Sequence, residues 1–289
     1  MTAAQAEIPV LSSIAEIGAN YKVWLVDIWG VMHDGLRAHL RAVEATKAFR
    51  EQAGIVVLLS NSPRPSREVQ AQLLSLGVPD DAYDATVTSG DLTRYELEKR
   101  SGARVFHLGP ERDRPIFSGL KLSLTEPEQA QIIVCTGLFD DETETPEDYD
   151  RLLKDLAKRG LPMICANPDR MVERGKQLIY CAGALADRYA ADGGSVIYAG
   201  KPYAPVYALA FEAASKLAGR EVAPEEVLAI GDGIMTDMEG AASVGLDAVF
   251  IASGLHIDNS QEDGFHRDAV ASLFAGRKPP LAALEKLAW

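Results

Sequence analysis

Val227-Leu228-Ala229-Ile230 runs directly into Gly231-Asp232-Gly233-Ile234-Met235-Thr236-Asp237. The first four residues have the apolar, β-rich character of a buried strand. Gly-Asp then turns the chain, and Thr-Asp has the composition of a helix start, with Thr236 a candidate cap. This reading brings Asp232 and Asp237 to one loop, where oxygen ligands suit a hard divalent cation. An ordinary strand, turn and acidic helix cap would use the same residues, so their meaning depends on the rest of the chain.

The same pattern recurs outward from there. Val23-Trp24-Leu25-Val26 ends at Asp27, Ile55 to Leu59 ends at Ser60-Asn61, Ala85-Thr86-Val87-Thr88 meets Ser89, and Ala248 to Ile251 runs into Ser253-Gly254. Ala42 to Gln52 and Ser66 to Leu76 have helical spacing and are stopped by Gly54 and Gly77. Strands alternating with helices predict a parallel sheet covered on both faces. In such sheets ligands bind beyond the carboxyl ends of the strands, where Asp27, Ser60-Asn61, Thr88-Ser89 and Asp232 stand.

The middle of the chain predicts a second αβ unit. Arg104 to Leu108, Ile132 to Cys135, Met163 to Ala166 and Gln177 to Tyr180 read as strands, and Pro146 to Arg159 and Ala182 to Ala191 as helices. The expected division is a core of residues 1–88 and 195–289, with 89–194 inserted between its halves.

Composition bounds the function. The 289 residues are 47% hydrophobic and 25% charged, which fits a folded globular protein rather than a disordered one. No apolar run approaches the length of a membrane span. Met1 to Asn20 carries Glu7 and Glu16 and lacks the basic start and apolar core of a signal peptide. The 29 Lys+Arg against 42 Asp+Glu give a net charge of −13, which argues against a nucleic-acid partner. Cys135, Cys165 and Cys181 form no CxxC pair; an odd count reads as buried free thiols and a cytoplasmic location.

Two further segments carry chemistry. Gly30 after Asp27 lets a substrate approach bare backbone beside a carboxylate. Gly200-Lys201-Pro202 holds a lysine in place at the start of a helix, on which Tyr203 and Tyr207 read as packing residues. Asp27, Ser60, Lys201 and the Gly231 to Asp237 stretch, in this order, resemble the four motifs of the haloacid dehalogenase (HAD) superfamily, from about Tyr21 to Gly254. Gly30-Val31 and Asn167-Pro168-Asp169 resemble its subclass IIA, the group of nitrophenyl phosphatases and predicted sugar phosphatases. The resemblance implies a Rossmann-like doubly wound α/β core with an inserted αβ cap. It implies that Asp27 attacks phosphorus, and that Mg²⁺ is held by Asp27, the Trp29 carbonyl, Asp232 and Asp237. Ser60 and the Asn61 N–H would hold phosphate oxygens and Lys201 would neutralise charge. Asn167, Asp169 and Arg64 would meet the substrate, a small phosphorylated metabolite. A homodimer is compatible with this picture.

One position departs from the family. The usual second Asp, two residues after the nucleophile, protonates the leaving group; here it is Trp29. His33 and Asp34 are candidate replacements, although Asp34-Gly35 also reads as a hairpin turn. Three functions follow: a phosphatase whose substrate or another acid makes good the loss, a phospho-ligand-binding module with little turnover, or a dehalogenase. His107 and His256 receive no role, and Arg170 reads as a surface residue.

Overall fold

The computed structural model of the chain describes residues 8–174, 177–252 and 267–289. Glu7, Ser253-Gly254 and His256 therefore lie outside the described residues. In chain order the strands are β1 (Val23–Asp27), β2 (Ile55–Ser60), β3 (Ala85–Thr88), β4 (Arg104–Leu108), β5 (Ser123–Leu124), β6 (Ile132–Cys135), β7 (Met163–Cys165), β8 (Met171–Arg174), β9 (Gln177–Tyr180), β10 (Val196–Tyr198), β11 (Val227–Gly231), β12 (Asp247–Ile251) and β13 (Ala282–Leu284).

Contacts group the chain into two units. The first comprises Met1–Leu59, Gln72–Thr86 and Tyr207–Trp289; the second comprises Ser60–Ala71 and Val87–Val206. Relative to the division drawn from sequence, the Ser60–Ala71 segment, residues 87–88 and residues 195–206 join the second unit. Asn61, Asp169 and Lys201, bonded to one another there, show why.

A six-stranded sheet runs in the order β13-β12-β11-β1-β2-β3. β1 pairs in parallel with both β11 and β2, and β11-β12-β13 continue in parallel. Every residue of β1 and β11 is buried, as are the last five of β2. Strands buried on alternate residues alike require cover on both faces, which is the doubly wound arrangement the alternation predicts. Helix Leu40–Glu51 shows how one face is anchored. Its buried residues Ala42, Val43, Ala45, Thr46 and Phe49 fall on one stripe. Phe49 stacks on Trp24 of β1, with ring centroids 4.0 Å apart and planes 6° from parallel. Trp24 keeps its polar edge satisfied by donating Nε1–H to the Gly18 carbonyl, at 3.2 Å.

The second unit has its own parallel sheet, in the order β10-β7-β6-β4-β5. Phe106, Leu108, Ile133, Leu138, Tyr149, Leu153, Leu156, Met163, Leu185 and Tyr189 form its core. Cys135, Cys165 and Cys181 are free and buried, as expected, and burial pushes the Cys135 thiol up to about 12.

Several elements differ from the sequence reading. Gln177 to Tyr180 is a strand as expected, but outside the five-stranded sheet, paired antiparallel with β8. The expected helix from Pro146 to Arg159 begins as a tighter turn at Pro146–Tyr149 and becomes α-helical over Asp150–Lys158. The helix after Lys201 spans Ala204–Ala218, so Tyr203 precedes it and stacks on Tyr198 at 5.0 Å, while Tyr207 is buried within it.

Leu153, fully buried at the centre of the second core, gives a direct check. Leu153→Ala should lower stability by about 2–5 kcal/mol in urea titrations; a loss under about 1 kcal/mol would contradict the packing described.

Candidate active site

The strand order places a topological switch in the first sheet between β1 and β11. From β1 the chain proceeds to β2 and β3 on one side, then returns to β11 on the other. β1 ends on Asp27, and Asp232 follows the last residue of β11. The carboxyl ends of adjacent strands at such a point diverge around a crevice, which is where ligands bind.

Asp27, Asp232 and Asp237 meet there. All three are buried, and one carboxylate oxygen from each lies within 4.8 Å of the others. Two neighbouring residues make the convergence sterically feasible. Gly30 has φ +87°, and a Cβ on it would fall on the Asp232 carboxylate. A Cβ on Gly231 would fall on the Asp237 carboxyl group. Glycine is thus required at both positions by close approach, and at Gly30 by backbone conformation too.

The turn carrying Asp237 is wider than the sequence suggests. Ile234–Met238 forms a π-helical turn in which Asp237 and Met238 both donate N–H to the Gly233 carbonyl, at 2.9 and 3.0 Å. Helix Glu239–Ser243 follows it. Thr236 therefore lies inside the turn and does not cap it. Asp237 Oδ2 instead accepts the Gly233 N–H, at 3.1 Å, which fixes one oxygen of the carboxylate against its own loop.

Two unit negative charges at 4.8 Å repel by about 3–4 kcal/mol at an effective dielectric of about 20. Three buried carboxylates in this arrangement suit a compact divalent cation with oxygen ligands, and Mg²⁺ matches that donor set. Asp27, Asp232 and Asp237 would hold it by their side chains, with the Trp29 carbonyl the further expected ligand.

The Trp29 side chain takes a different part. Its ring meets His33 edge-on, with centroids 5.0 Å apart, and a Cβ on Gly35 would come within 2.6 Å of it. The indole thus folds over the loop that follows Asp27. Asp34 Oδ1 accepts the N–H groups of both Leu36 and Arg37 at 2.9 Å; burial is the largest single influence and pushes its carboxyl up, but these two hydrogen bonds with the His39 and Arg37 charges together hold it below the usual range. Asp34 is a turn residue whose Oδ1 is fixed as an acceptor, in keeping with the hairpin reading of Asp34-Gly35. His33 is buried, and its Nδ1 accepts the Gly35 N–H at 3.0 Å. That bond places the ring proton of neutral His33 on Nε2.

In the second unit, Asn61 organises the phosphate-handling residues expected from sequence. Its Oδ1 accepts the Lys201 N–H at 2.7 Å, and its Nδ2 donates to the Lys201 carbonyl at 3.1 Å and to Asp169 Oδ1 at 2.9 Å. Ser89 donates to Asn61 Oδ1 at 3.3 Å. Lys201 is buried, and Gly200 before it has φ +148° and touches Ser89, Asn61 and Pro168 so closely that a Cβ would displace them. The lysine backbone is thereby clamped. Ser60 is buried too, and its Oγ accepts the Ser62 N–H at 3.1 Å, leaving the hydroxyl proton to donate elsewhere.

Asn167 Oδ1 accepts the Asp169 N–H at 3.0 Å, so Asn167-Pro168-Asp169 forms a side-chain-stabilised turn that presents Asp169 to Asn61. The Asn61 side chain as the organiser of this cluster is what sequence reasoning missed; the nearest signal was that Asn61 and Ser89 both stand at strand ends. Arg64 lies 4.0 Å from Asp113, and Arg170 pairs with Asp187 on the surface.

Comparison with known proteins agrees with this geometry. A family model described as haloacid dehalogenase-like hydrolase matches residues 24–123, and a second, HAD-hydrolase-like, matches residues 198–275. A crystal structure of a haloacid dehalogenase-like family hydrolase from Brucella suis 1330 is 42% identical, with a TM-score of 0.86 over 96% of this chain and 99% of that one. A Cytophaga hutchinsonii structure described as a possible sugar phosphatase of the HAD superfamily shares the fold. It has a TM-score of 0.77 at 20% identity and covers 96% and 97% of the two chains. The 5'-nucleotidase YutF of Bacillus subtilis (strain 168) is 25% identical over 86% of this chain and 94% of its own.

The chain belongs to the haloacid dehalogenase-like hydrolases. It is accordingly a hydrolase, and among the described residues no helix is long and apolar enough to cross a membrane.

The carboxylate cluster can be tested without a substrate. Millimolar Mg²⁺ should raise the melting temperature of the wild-type chain, because a ligand that binds only the folded state stabilises it. Asp232→Asn should abolish most of that rise. An equal rise in both proteins would place the ion elsewhere.

Proposed function

We propose that the chain is a Mg²⁺-dependent phosphatase that hydrolyses a small phosphorylated metabolite through a phosphorylated Asp27. The convergence of three buried carboxylates at the end of β1 carries this reading. The phosphate-ester substrates implied by the names of the Bacillus 5'-nucleotidase and the Cytophaga structure support it. A dehalogenase would have no use for the acidic cluster, since halide leaves without metal assistance.

In the proposed reaction one Asp27 oxygen attacks phosphorus as the bond to the ester oxygen breaks, and that oxygen departs with the organic group as an alkoxide or phenoxide that takes its proton from water. Water then attacks the acyl phosphate, returning the Asp27 carboxylate and releasing inorganic phosphate. A bound Mg²⁺ would supply electrostatic shielding between two anions that otherwise repel. Ser60 and the Asn61 N–H would bind phosphate oxygens, and Lys201 would neutralise charge on the transferring group. Asn61 would set the position of Lys201 through the backbone clamp described above. Asn167, Asp169 and Arg64 would meet the organic part of the substrate. The division into a core of 1–88 and 195–289 with a cap of 89–194 is part of the same proposal. So is a cytoplasmic location, on the strength of three buried free thiols.

Asp27→Asn keeps the shape of the side chain and removes the nucleophile. It should reduce phosphate release from p-nitrophenyl phosphate by at least about 10³-fold, a loss of about 4 kcal/mol of transition-state stabilisation. Turnover within tenfold of wild type would exclude Asp27 as the nucleophile.

Trp29 supplies a second test. General acid catalysis is worth about 10²–10⁴-fold, and an indole does not transfer a proton. Trp29→Asp should therefore increase turnover of alkyl phosphates at least tenfold while changing aryl phosphates little. No gain, in a variant that still shows the Mg²⁺-dependent thermal shift, would show that a missing acid does not limit the rate.

A further inference from the structure

β7 and β10 are neighbouring parallel strands of the second sheet, paired from Val196↔Met163 to Tyr198↔Cys165. Just beyond the carboxyl end of β7 come Asn167-Pro168-Asp169, and beyond that of β10 come Gly200-Lys201. The ladder continues past the strands, with the Ala199 N–H donating to the Cys165 carbonyl at 2.9 Å. Parallel neighbours deliver their outgoing loops to the same edge of a sheet. Two segments distant in sequence are thereby set side by side. A Cβ on Gly200 would lie 2.2 Å from the Ser89 hydroxyl, 2.5 Å from Asn61 Oδ1 and 2.7 Å from the Pro168 ring.

The Asp169 backbone is held on both sides. Its N–H donates to Asn167 Oδ1 and its carbonyl accepts the Gly183 N–H, each at 3.0 Å. Gly183 lies in the first turn of helix Ala182–Ala191, and a Cβ on it would come within 2.5 Å of that carbonyl. Asn167 is itself buried. The Asp169 carboxylate therefore extends from a fixed base, and its Oδ1 accepts an Asn61 Nδ2 proton at 2.9 Å.

Asn61 has one way to face this partner. The Lys201 N–H only donates and so selects Oδ1, at 2.7 Å; the Lys201 carbonyl only accepts and so selects Nδ2, at 3.1 Å. The second Nδ2 proton goes to Asp169, and the Ser89 hydroxyl donates to Oδ1 at 3.3 Å. Both amide protons are then used, and the residue is buried. Without the Asp169 acceptor one of these protons would be left buried and unpaired, which is costly. The amide would gain by turning toward another acceptor, and turning breaks both bonds to the Lys201 backbone.

We propose that Asp169 is a positioning residue for Lys201, acting through the Asn61 amide, so that the turn after β7 sets the place of the cation that follows β10. Its effect on turnover rests on the role of Lys201 in the phosphatase reading; the hydrogen-bonded link itself does not.

The test reads the link and the turnover separately, on the full chain. Hydrogen exchange of the Lys201 N–H is followed by NMR after ¹⁵N-lysine labelling, its resonance assigned by its absence from Lys201→Arg. Asp169→Ala should speed that exchange by about tenfold or more, because the amide loses its fixed acceptor. With p-nitrophenyl phosphate and Mg²⁺ the same variant should lower kcat by about tenfold or more and change KM by less than about threefold, since the interaction lost acts in the transition state. A residue that only touched the organic part of the substrate would raise KM instead. Asp169→Asn keeps an acceptor oxygen and should recover about fivefold of the loss. Asn61→Asp sets an oxygen against both Asp169 and the Lys201 carbonyl and should lower kcat by about 100-fold; adding Asp169→Asn to it returns a donor across the pair and should recover about tenfold. Exchange unchanged in Asp169→Ala, a raised KM with kcat unchanged, or a double variant no better than Asn61→Asp would overturn the proposal. A wild-type chain that releases no phosphate would sink the phosphatase reading and the catalytic role with it, while the exchange rates would still decide whether Asp169 holds Lys201.

Discussion

Repulsion among three buried aspartates is the constraint around which the first unit is arranged. Asp27, Asp232 and Asp237 come from three separate points along the chain, yet their carboxylates converge within 4.8 Å. Chain folding alone does not favour that arrangement; removing charges from water while crowding them together costs several kcal/mol. Glycine at 30 and 231 provides the room, and the wide turn at Ile234–Met238 ties Asp237 back to Gly233. A fold that imposes such crowding is suited to a function in which a cation relieves it.

The parallel topology then determines where the chemistry falls. In both sheets the chain leaves a central strand in one direction and returns on its other side. The first sheet places carboxylates at that gap. The second places Thr136 at its own, 2.9 Å from the ring of His107 in β4.

The site was legible in the sequence wherever it depended on strand ends. Asp27 and Asp232 close apolar β-rich runs, and such runs are read from composition without knowing what packs on them. The β4, β6 and Ser66–Leu76 boundaries were legible for the same reason, with Gly77 marking the helix end. Features set by tertiary contacts were not. β5 and β13 are two and three residues long, too short for a periodic pattern. Thr236 has the composition of a cap, but the i+5 bonding of the turn leaves it inside. Asn61 reads as a phosphate-binding backbone position; its side chain also bridges Lys201 and Asp169, residues more than a hundred positions away. Trp29 reads as the loss of an acid, and the structure adds the reason an aromatic ring fits there: it covers Gly35 and His33.

The central claim concerns the ligands of one cation, and anomalous X-ray scattering tests it most directly. Mn²⁺ takes the same oxygen donors as Mg²⁺ and can be located without ambiguity in crystals of the wild-type chain. The account predicts a single strong anomalous peak with the carboxylates of Asp27, Asp232 and Asp237 around it, directly or through one water. A strong peak bound by other side chains, with these three left uncoordinated, would contradict it.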